Sequence, residues 1–333
     1  MASLRIAFFG TPEFAAPAFE RLLGGPHRVV VAITQPDRPR GRGRKLAAGP
    51  VAERARAASV PLLQPERVGD AAVVGEIAGH APDLGVVVAF GQFIPKAVRE
   101  LPGLGYLING HASLLPRHRG AAPIQHAILA GDTQTGVSVM RVEREMDAGA
   151  VMLVRRTPIT ASEDSGALFE RLALLTADAL AEALDGIAAG RATWAEQDSA
   201  GATFAPKLEA ADAELDFTQA AAALALRVRA LSPRPGARAY LGGELLRVLA
   251  ARAEPGAAQA EPGTLQRAGD RLRIATRDGW LVLDRLQRAG GKPLATADLL
   301  RGFSIPDGAR LAVPPPGGPL GSDPKEPPGG GEA

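Results

Sequence analysis

Residues 83–90 read DLGVVVAF, a near-continuous apolar run that is typical of a β-strand buried on both faces. Four further runs have the same character: RIAFFG at 5–10, HRVVVAITQ at 27–35, GYLING at 105–110 and GVSVMRV at 136–142. Helical patterns alternate with them, near Pro12, at 51–58, at 120–131 and at 165–190, where Gly190 ends the longest one. This alternation predicts an α/β fold, with a Rossmann-like, mostly parallel sheet and helices on both faces.

The second half of the chain has a different pattern. Residues 191–213 lose strong periodicity, so we predict a linker between a first domain at 1–190 and a second domain at 214–312. In the second domain, a helical pattern at 218–231 precedes short segments punctuated by Pro and Gly, which are typical of a small, OB-like β-barrel. Residues 313–333 are rich in Pro and Gly and have almost nothing to bury, so we expect a disordered tail.

Charge and composition narrow the classes of function. The chain has 38 Lys and Arg against 36 Asp and Glu, a net charge of +2, which excludes a uniformly basic nucleic-acid coat. Residues 1–204 have no net charge, whereas residues 205–310 carry 16 basic against 12 acidic residues. The second part is therefore the better candidate to bind a polyanion. The absence of cysteine excludes thiolate catalysis and cysteine-ligated zinc. We see no signal segment and no apolar stretch of about 18 residues, and we expect a soluble cytoplasmic protein.

A cluster of basic residues lies within the neutral part. It comprises Arg38, Arg40, Arg42, Arg44 and Lys45. Pro39, Gly41 and Gly43 interrupt the cluster and prevent helical order. One interpretation is a solvated surface loop, and the other is a loop that becomes ordered on a phosphate backbone, as arginine-rich segments do with RNA. We single out Arg42, between two glycines, as the expected contact.

The segment NGHASLLPRHRGAAPIQ, residues 109–125, carries the densest set of chemical groups. It follows a predicted strand, and open parallel sheets bind ligands in loops at the carboxyl ends of their strands. Asn109 and His111 are two residues apart, so on a strand they share one face. Acyl transfer needs such a pair, an amide that stabilises an oxyanion and an imidazole that transfers protons. A hydrogen-bonded histidine at a strand end, beside an asparagine in a turn, is the alternative.

The wider pattern resembles a known family. The elements H-x-S-L-L-P and R-G-A-A-P-I-Q of this segment are similar to the signature of formyltransferases that use 10-formyltetrahydrofolate. Further similarities cover nearly the whole chain: FFGTPEFA, TQPDRPRGRGRKL, VVAFGQFIP, REMDAGAVML, TFAPKLEAADAELDF, RALSPRPGA and LQRAGGKPLATADLLRG. Together they resemble the methionyl-tRNA formyltransferase family.

This resemblance implies a role for each matching position. The catalytic residues of the family correspond to Asn109, His111 and Asp147. Contacts to the folate donor fall on Ser113, Leu114, Leu115, Pro116, Phe90 and Gly91. Contacts to tRNA fall on the basic cluster, Arg38 to Lys45, and on the OB-like domain. The implied enzyme is a monomer without a metal that formylates the amino group of methionyl initiator tRNA, with 10-formyltetrahydrofolate as donor, for translation initiation.

At two positions the chain departs from the family's pattern. Gly110 stands where the family often has a branched apolar residue, and Phe90 stands where tyrosine is common. We expect Gly110 to loosen the strand between the two catalytic positions, and Phe90 to remove a hydroxyl contact from the pocket.

Three other functions compete with this interpretation. A formyltransferase that acts on an amino sugar or a nucleotide amine shares the chemistry, but the second domain and the basic cluster argue against it. A dinucleotide-dependent dehydrogenase needs G-x-G-x-x-G after the first strand, where FFGTPEFA has a single glycine. An RNA-binding module would leave the H-x-S-L-L-P segment without a role.

Asp147 has an alternative of its own. Taken alone, an aspartate next to a turn is typical of the protein surface.

Overall fold

The computed structural model describes residues 3–40 and 45–312, and its first unit is built on a seven-stranded sheet. This unit lies within Met1–Ala127, Thr133–Thr160 and Ala167–Lys207. Its strands are β1 (Arg5–Gly10), β2 (Arg28–Ile33), β3 (Arg38–Arg40), β4 (Lys45–Ala47), β5 (Leu62–Leu63), β6 (Leu84–Val88), β7 (Leu107–His111), β8 (Gln134–Arg141) and β9 (Val151–Pro158). The sheet has the order β5-β2-β1-β6-β7-β8-β9, and β3 pairs with β4 in a separate hairpin.

The predicted mostly parallel sheet is confirmed. Neighbouring strands from β5 to β7 pair in parallel, whereas β8 and β9 extend one edge with antiparallel pairing. All five residues of β6 are buried, as the apolar run at 83–90 predicted. Strand β9 was not predicted, although its first half, VMLV at 151–154, is apolar; its second half is polar, and its residues are half-buried or exposed.

Helices cover this sheet. They are α1 (Ala16–Leu23), α2 (Pro50–Ala57), α3 (Ala71–Gly79), α4 (Lys96–Arg99), α5 (Pro123–Leu129) and α6 (Ser165–Ala188). A turn of 3-10 helix, Glu13–Ala15, precedes α1, so the helix predicted near Pro12 begins slightly later. The chain leaves α6 through Gly190, whose φ of 66° lies in the left-handed region that favours glycine. The α/β class is therefore confirmed.

The second unit is an antiparallel sheet curled into a half-barrel, consistent with the predicted OB-like domain. It comprises Ile128–Asp132, Ala161–Gly166 and the described residues from Leu208 onward. Its elements are α7 (Ala221–Leu231), β10 (Ala237–Leu241), β11 (Glu244–Glu254), β12 (Leu265–Ala268), β13 (Arg271–Ala275), β14 (Trp280–Arg288), β15 (Leu294–Ala295), α8 (Thr296–Gly302) and β16 (Leu311–Ala312). Leu224 and Val228 of α7 belong to its buried core.

The segment predicted as a linker, 191–213, is divided in the structure. Residues up to Lys207 group with the first unit and residues from Leu208 with the second. Backbone hydrogen bonds join Ala195 to Val151 of β9, so this part of the segment is built onto the first unit. The predicted tail, 313–333, lies outside the described residues. No helix within the described ranges is long and apolar enough to cross a membrane.

Candidate active site

Asn109 and His111 lie at the carboxyl end of β7, inside the sheet of the first unit. In the sheet register, Asn109 stands between Val87 of β6 and Met140 of β8. Because side chains alternate along a strand, Asn109 and His111 lie on one face. Asn109 is half-buried and His111 is 6% exposed. The pair is thus held on a rigid element with limited access to water.

Gly110 lies between them and packs against α6. A Cβ atom at this position would come within 2.6 Å of Cγ2 of Thr176 and 3.1 Å of Cδ1 of Leu180. Both side chains are fully buried. They fill the space that a larger residue at 110 would need. The effect of Gly110 on the stiffness of the strand stays a prediction.

The imidazole of His111 has a neighbour at each nitrogen. Its Nε2 lies 2.9 Å from the carbonyl oxygen of His118, and its Nδ1 lies 3.5 Å from Oδ2 of Asp147. A carbonyl oxygen only accepts, so Nε2 is the donor in the first contact. A protonated ring would donate from both nitrogens, to the carbonyl and to the carboxylate. The site therefore accommodates an imidazolium without leaving a hydrogen unpaired.

Asp147 reaches His111 from the loop between β8 and β9. Its side chain is 12% exposed, and Oδ2 also accepts a 2.8 Å hydrogen bond from the backbone N–H of Gly120. The φ of Asp147 is 54°, a left-handed conformation that costs residues other than glycine free energy, although aspartate tolerates it better than most. A solvated surface turn, the alternative for this residue, does not describe a carboxylate that is buried and paired in this way.

The loop that supplies the His118 carbonyl is held by the segment from Thr203 to Ala205. The backbone N–H of His118 donates to Oγ1 of Thr203, and the N–H of Arg119 donates to the Thr203 carbonyl, both at 2.9 Å. Ala205 in turn donates to the Arg119 carbonyl at 2.7 Å. The sequence marked Thr203 and Ala205 only as the start of the segment TFAPKLEAADAELDF, and gave no signal for the loop that they bind.

The predicted folate contacts divide into buried and accessible groups. Ser113 is fully buried, and its hydroxyl donates to the carbonyl of Arg117 at 2.6 Å, so its side chain shapes the turn. Leu114, Leu115 and Pro116 are each half-buried and present apolar surface. Oγ of Ser138 accepts from the Leu115 N–H and donates to the Ser113 carbonyl, which fixes this loop to β8.

The turn after β6 carries the other two predicted folate contacts. The ring of Phe90 is 3% exposed and packs edge-to-face on Phe9, with 5.6 Å between centroids. Gly91 is exposed, with a φ of 81°. The carbonyls of both residues accept hydrogen bonds from Nε2 of Gln35. Phe90 therefore anchors the turn in the core, and the backbone around Gly91 is the accessible part.

The basic cluster spans the β3–β4 hairpin. The register pairs Arg38 with Ala47 and Arg40 with Lys45. Arg38 is exposed, and its Nη2 donates to Oε1 of Gln35 at 3.0 Å. Arg42 and Arg44 lie outside the described residues.

Comparison with known proteins decides the family. The formyl transferase model matches residues 4–184, and the model of the formyl transferase C-terminal domain matches residues 207–304. A relative from Chromohalobacter salexigens named methionyl-tRNA formyltransferase is 51% identical over 320 residues, which cover 93% of this chain and 97% of the relative. The chain belongs to the methionyl-tRNA formyltransferase family. It is thus an enzyme of the transferase class, and both units take part in the match.

Solved structures support the fold of this formyltransferase. HypX from Aquifex aeolicus in complex with tetrahydrofolic acid matches 90% of the chain with a TM-score of 0.60 and 20% identity, and the chain spans about half of its length, 47%. The sugar 3N-formyl transferase WlaRD, in the presence of dTDP and 5-N-formyl-THF, matches 88% of the chain with a TM-score of 0.62 and 13% identity. At such identities the likeness concerns the fold. Across residues 3–40 and 45–312, no group of acidic and histidine side chains is placed to hold a metal ion.

Proposed function

We propose that this formyltransferase transfers the formyl group of 10-formyltetrahydrofolate to the free amino group of methionyl initiator tRNA, giving the N-formylmethionyl-tRNA that starts translation. The observation that carries the proposal is the 51% identity to a methionyl-tRNA formyltransferase over 93% of the chain. Here the similarity extends through the second unit, where the positive charge is concentrated.

The first unit offers surfaces that suit the folate donor. Leu114, Leu115 and Pro116 present half-buried apolar surface next to the polar groups of β7, and the backbone at Gly91 is exposed and held by the side chain of Gln35. Ligand sites commonly combine apolar walls with a few fixed polar groups. These residues would hold the donor, whose formyl carbon forms a bond to the amine nitrogen while its bond to N10 breaks and tetrahydrofolate leaves.

His111 has the position and the chemistry to handle the proton of the amine. An α-amino group of this class titrates near ~8 and must be uncharged to attack. With Nε2 donating to the His118 carbonyl, Nδ1 is the nitrogen that can accept a proton, and Asp147 lies 3.5 Å away to stabilise the resulting charge. Asn109, on the same face of β7, would donate from its amide to the oxyanion that develops at the formyl oxygen.

The tRNA contacts in this proposal come from two places. The basic cluster from Arg38 to Lys45 would contact the acceptor end, and the second unit, with a net charge of +4 over residues 205–310, would bind the backbone. Contacts between these charges and phosphates do not depend on the nucleotide sequence of the tRNA, so they supply affinity. The amine at the 3′ end is the group that reacts.

Oligomeric state and compartment are part of the proposal. We propose a monomer, in which the contact between His111 and Asp147 forms within one chain. A cytoplasmic location is supported by the acceptor, since charged tRNA is used where proteins are synthesised.

The test is a formylation assay with matched amine acceptors. The protein is incubated with 10-formyltetrahydrofolate and either methionyl initiator tRNA, a methionyl elongator tRNA or an amino sugar nucleotide, and the N-formyl product is quantified. We expect N-formylmethionine on the initiator tRNA. Activity confined to the amino sugar nucleotide would overturn the proposal and favour the small-amine enzyme.

A further inference from the structure

We propose that Gln197 is a positioning residue for formyl transfer, which holds the Asp147 loop so that the carboxylate stays against His111. This inference rests on the proposed function, because it assigns Gln197 a role in the same reaction. Gln197 lies in the segment after α6, more than eighty residues from His111 in sequence.

The amide of Gln197 makes hydrogen bonds in both directions. Its Nε2 donates to the carbonyl oxygens of Asp147 and Gly149, each at 2.8 Å. Its Oε1 accepts from Nε and Nη2 of Arg119, at 3.1 Å and 2.8 Å. A primary amide has two N–H donors and one oxygen with two lone pairs, so this side chain is fully used.

Arg119 fixes the orientation of this amide. The residue is 4% exposed, and the two donors of its guanidinium that face Oε1 force the nitrogen of Gln197 toward the Asp147 loop. Arg119 Nη1 also lies 3.5 Å from a carboxylate oxygen of Glu145, at the start of the same loop. The next residue, Gly120, donates its N–H to Oδ2 of Asp147. Gln197 therefore binds the backbone of Asp147 and Gly120 binds its side chain, and both of them lie next to Arg119.

The conformation of Asp147 explains why such support is needed. Its φ of 54° is sparsely populated for a residue with a side chain, and such a conformation persists only where the surroundings determine it. The two Gln197 donors bind the carbonyls on either side of Ala148 and so fix the backbone that carries Asp147. Without them we expect the backbone to relax and the carboxylate to leave its 3.5 Å contact with His111.

The segment that carries Gln197 has other attachments. Ala195 is bonded to Val151 in both directions, and Thr203 and Ala205 are bonded to the loop around Arg119. Removing only the Gln197 amide therefore leaves the segment in place. Gln197 itself touches neither Asn109 nor His111 in the hydrogen-bond network. The expected loss is thus in the chemical step rather than in the binding of either substrate.

The experiment uses the full-length enzyme and three variants. Gln197→Met removes all polar contacts at similar volume, Gln197→Glu keeps an acceptor for Arg119 but loses both donations, and Glu196→Gln is the control at the exposed neighbouring residue. We expect kcat for formylation to fall about ten- to a hundred-fold in both Gln197 variants, the range found for residues that orient a functional group, with the KM values for folate and tRNA within about two-fold of wild type. The control should keep wild-type kcat.

A double-mutant cycle separates positioning from a merely structural role. If Gln197 acts through Asp147, adding Gln197→Met to Asp147→Asn should cost much less in kcat than it costs in the wild-type background. Wild-type kcat in both Gln197 variants, or a full loss that adds to that of Asp147→Asn, would overturn the inference. A lowered Tm with unchanged kcat would also overturn it. A wild-type protein without formylation activity would instead defeat the proposed function.

Discussion

Asn109 is the residue with the most direct proposed contact to developing charge. It lies half-buried on β7, between Val87 and Met140 in the register, and its side chain shares a face with His111. An amide fixed on a central strand costs no reorganisation when charge appears on the formyl oxygen. Its contribution should therefore arise in the transition state.

Asn109→Ala should slow the chemical step and leave substrate binding nearly unchanged. We expect a barrier increase of about 3 to 4 kcal/mol, the scale for removing one oxyanion donor. Single-turnover formylation measures the rate, and equilibrium binding of charged tRNA to the same variant is the control. A near-normal single-turnover rate would remove Asn109 from the mechanism.

His111 and Asp147 should behave as one unit. Their side chains are 3.5 Å apart, so replacing either one removes the interaction of both. In a double-mutant cycle with His111→Ala and Asp147→Ala, the combined loss in single-turnover rate should be well below the sum of the single losses. Fully additive losses would mean that Asp147 acts on something other than His111.

At the scale of elements, β7 and α6 are fitted to each other around Gly110. The strand carries a glycine where the helix presents Thr176, and the hydroxyl of Thr176 donates to the carbonyl of Leu172 within the helix. The methyl group of Thr176 is the part that faces the strand. The positions of Asn109 and His111 thus depend on a contact on the opposite face of β7.

Gly110→Ala should destabilise the protein, although alanine is normally favoured over glycine within a strand. The new Cβ atom would lie 2.6 Å from Cγ2 of Thr176, and overpacking of this kind costs about 1 to 3 kcal/mol of unfolding free energy. Thr176→Ala removes that methyl group, so the double variant should recover part of the loss. Urea unfolding of the four proteins measures this coupling. Stabilisation by Gly110→Ala alone would contradict it.

At the scale of the molecule, positive charge is unevenly distributed. Residues 1–204 have equal numbers of basic and acidic residues, yet five of the basic ones occur within 38–45. Residues 205–310 carry 16 basic against 12 acidic residues, a net charge of +4. If tRNA meets both places, its binding should respond to salt through both of them.

Arg42→Ala tests the contribution of the basic cluster. Loss of one phosphate contact should weaken productive tRNA binding and reduce the log-log salt slope by about 0.7 to 0.9, without a change in folate binding. Arg42→Lys should lose part of the affinity, because lysine keeps the charge but not the planar fork that binds phosphate through two hydrogen bonds. Wild-type formylation by both variants at every salt concentration would identify the cluster as solvated surface.

The sequence alone predicted what depends on local pattern. The buried strand at 84–88, the long helix up to Gly190 and the change to short strands after the linker follow from apolar runs, periodicity and turn residues, which act within a few residues of one another. The shared face of Asn109 and His111 followed from their spacing in the same way. The pair by itself left two interpretations open, and the resemblance favoured the one with roles in acyl transfer.

Only the tertiary structure decided which distant groups meet. It places Asp147 against His111, Gln197 against the Asp147 loop, and Thr176 in the space beside Gly110. It also assigns residues up to Lys207 to the first unit, although their sequence is typical of a linker. These contacts join residues that are far apart in the chain, and a loop such as the one that carries Asp147 is oriented by the hydrogen-bond partners that the fold brings to it. No local pattern encodes those partners, so the pairing exists only once the chain has folded.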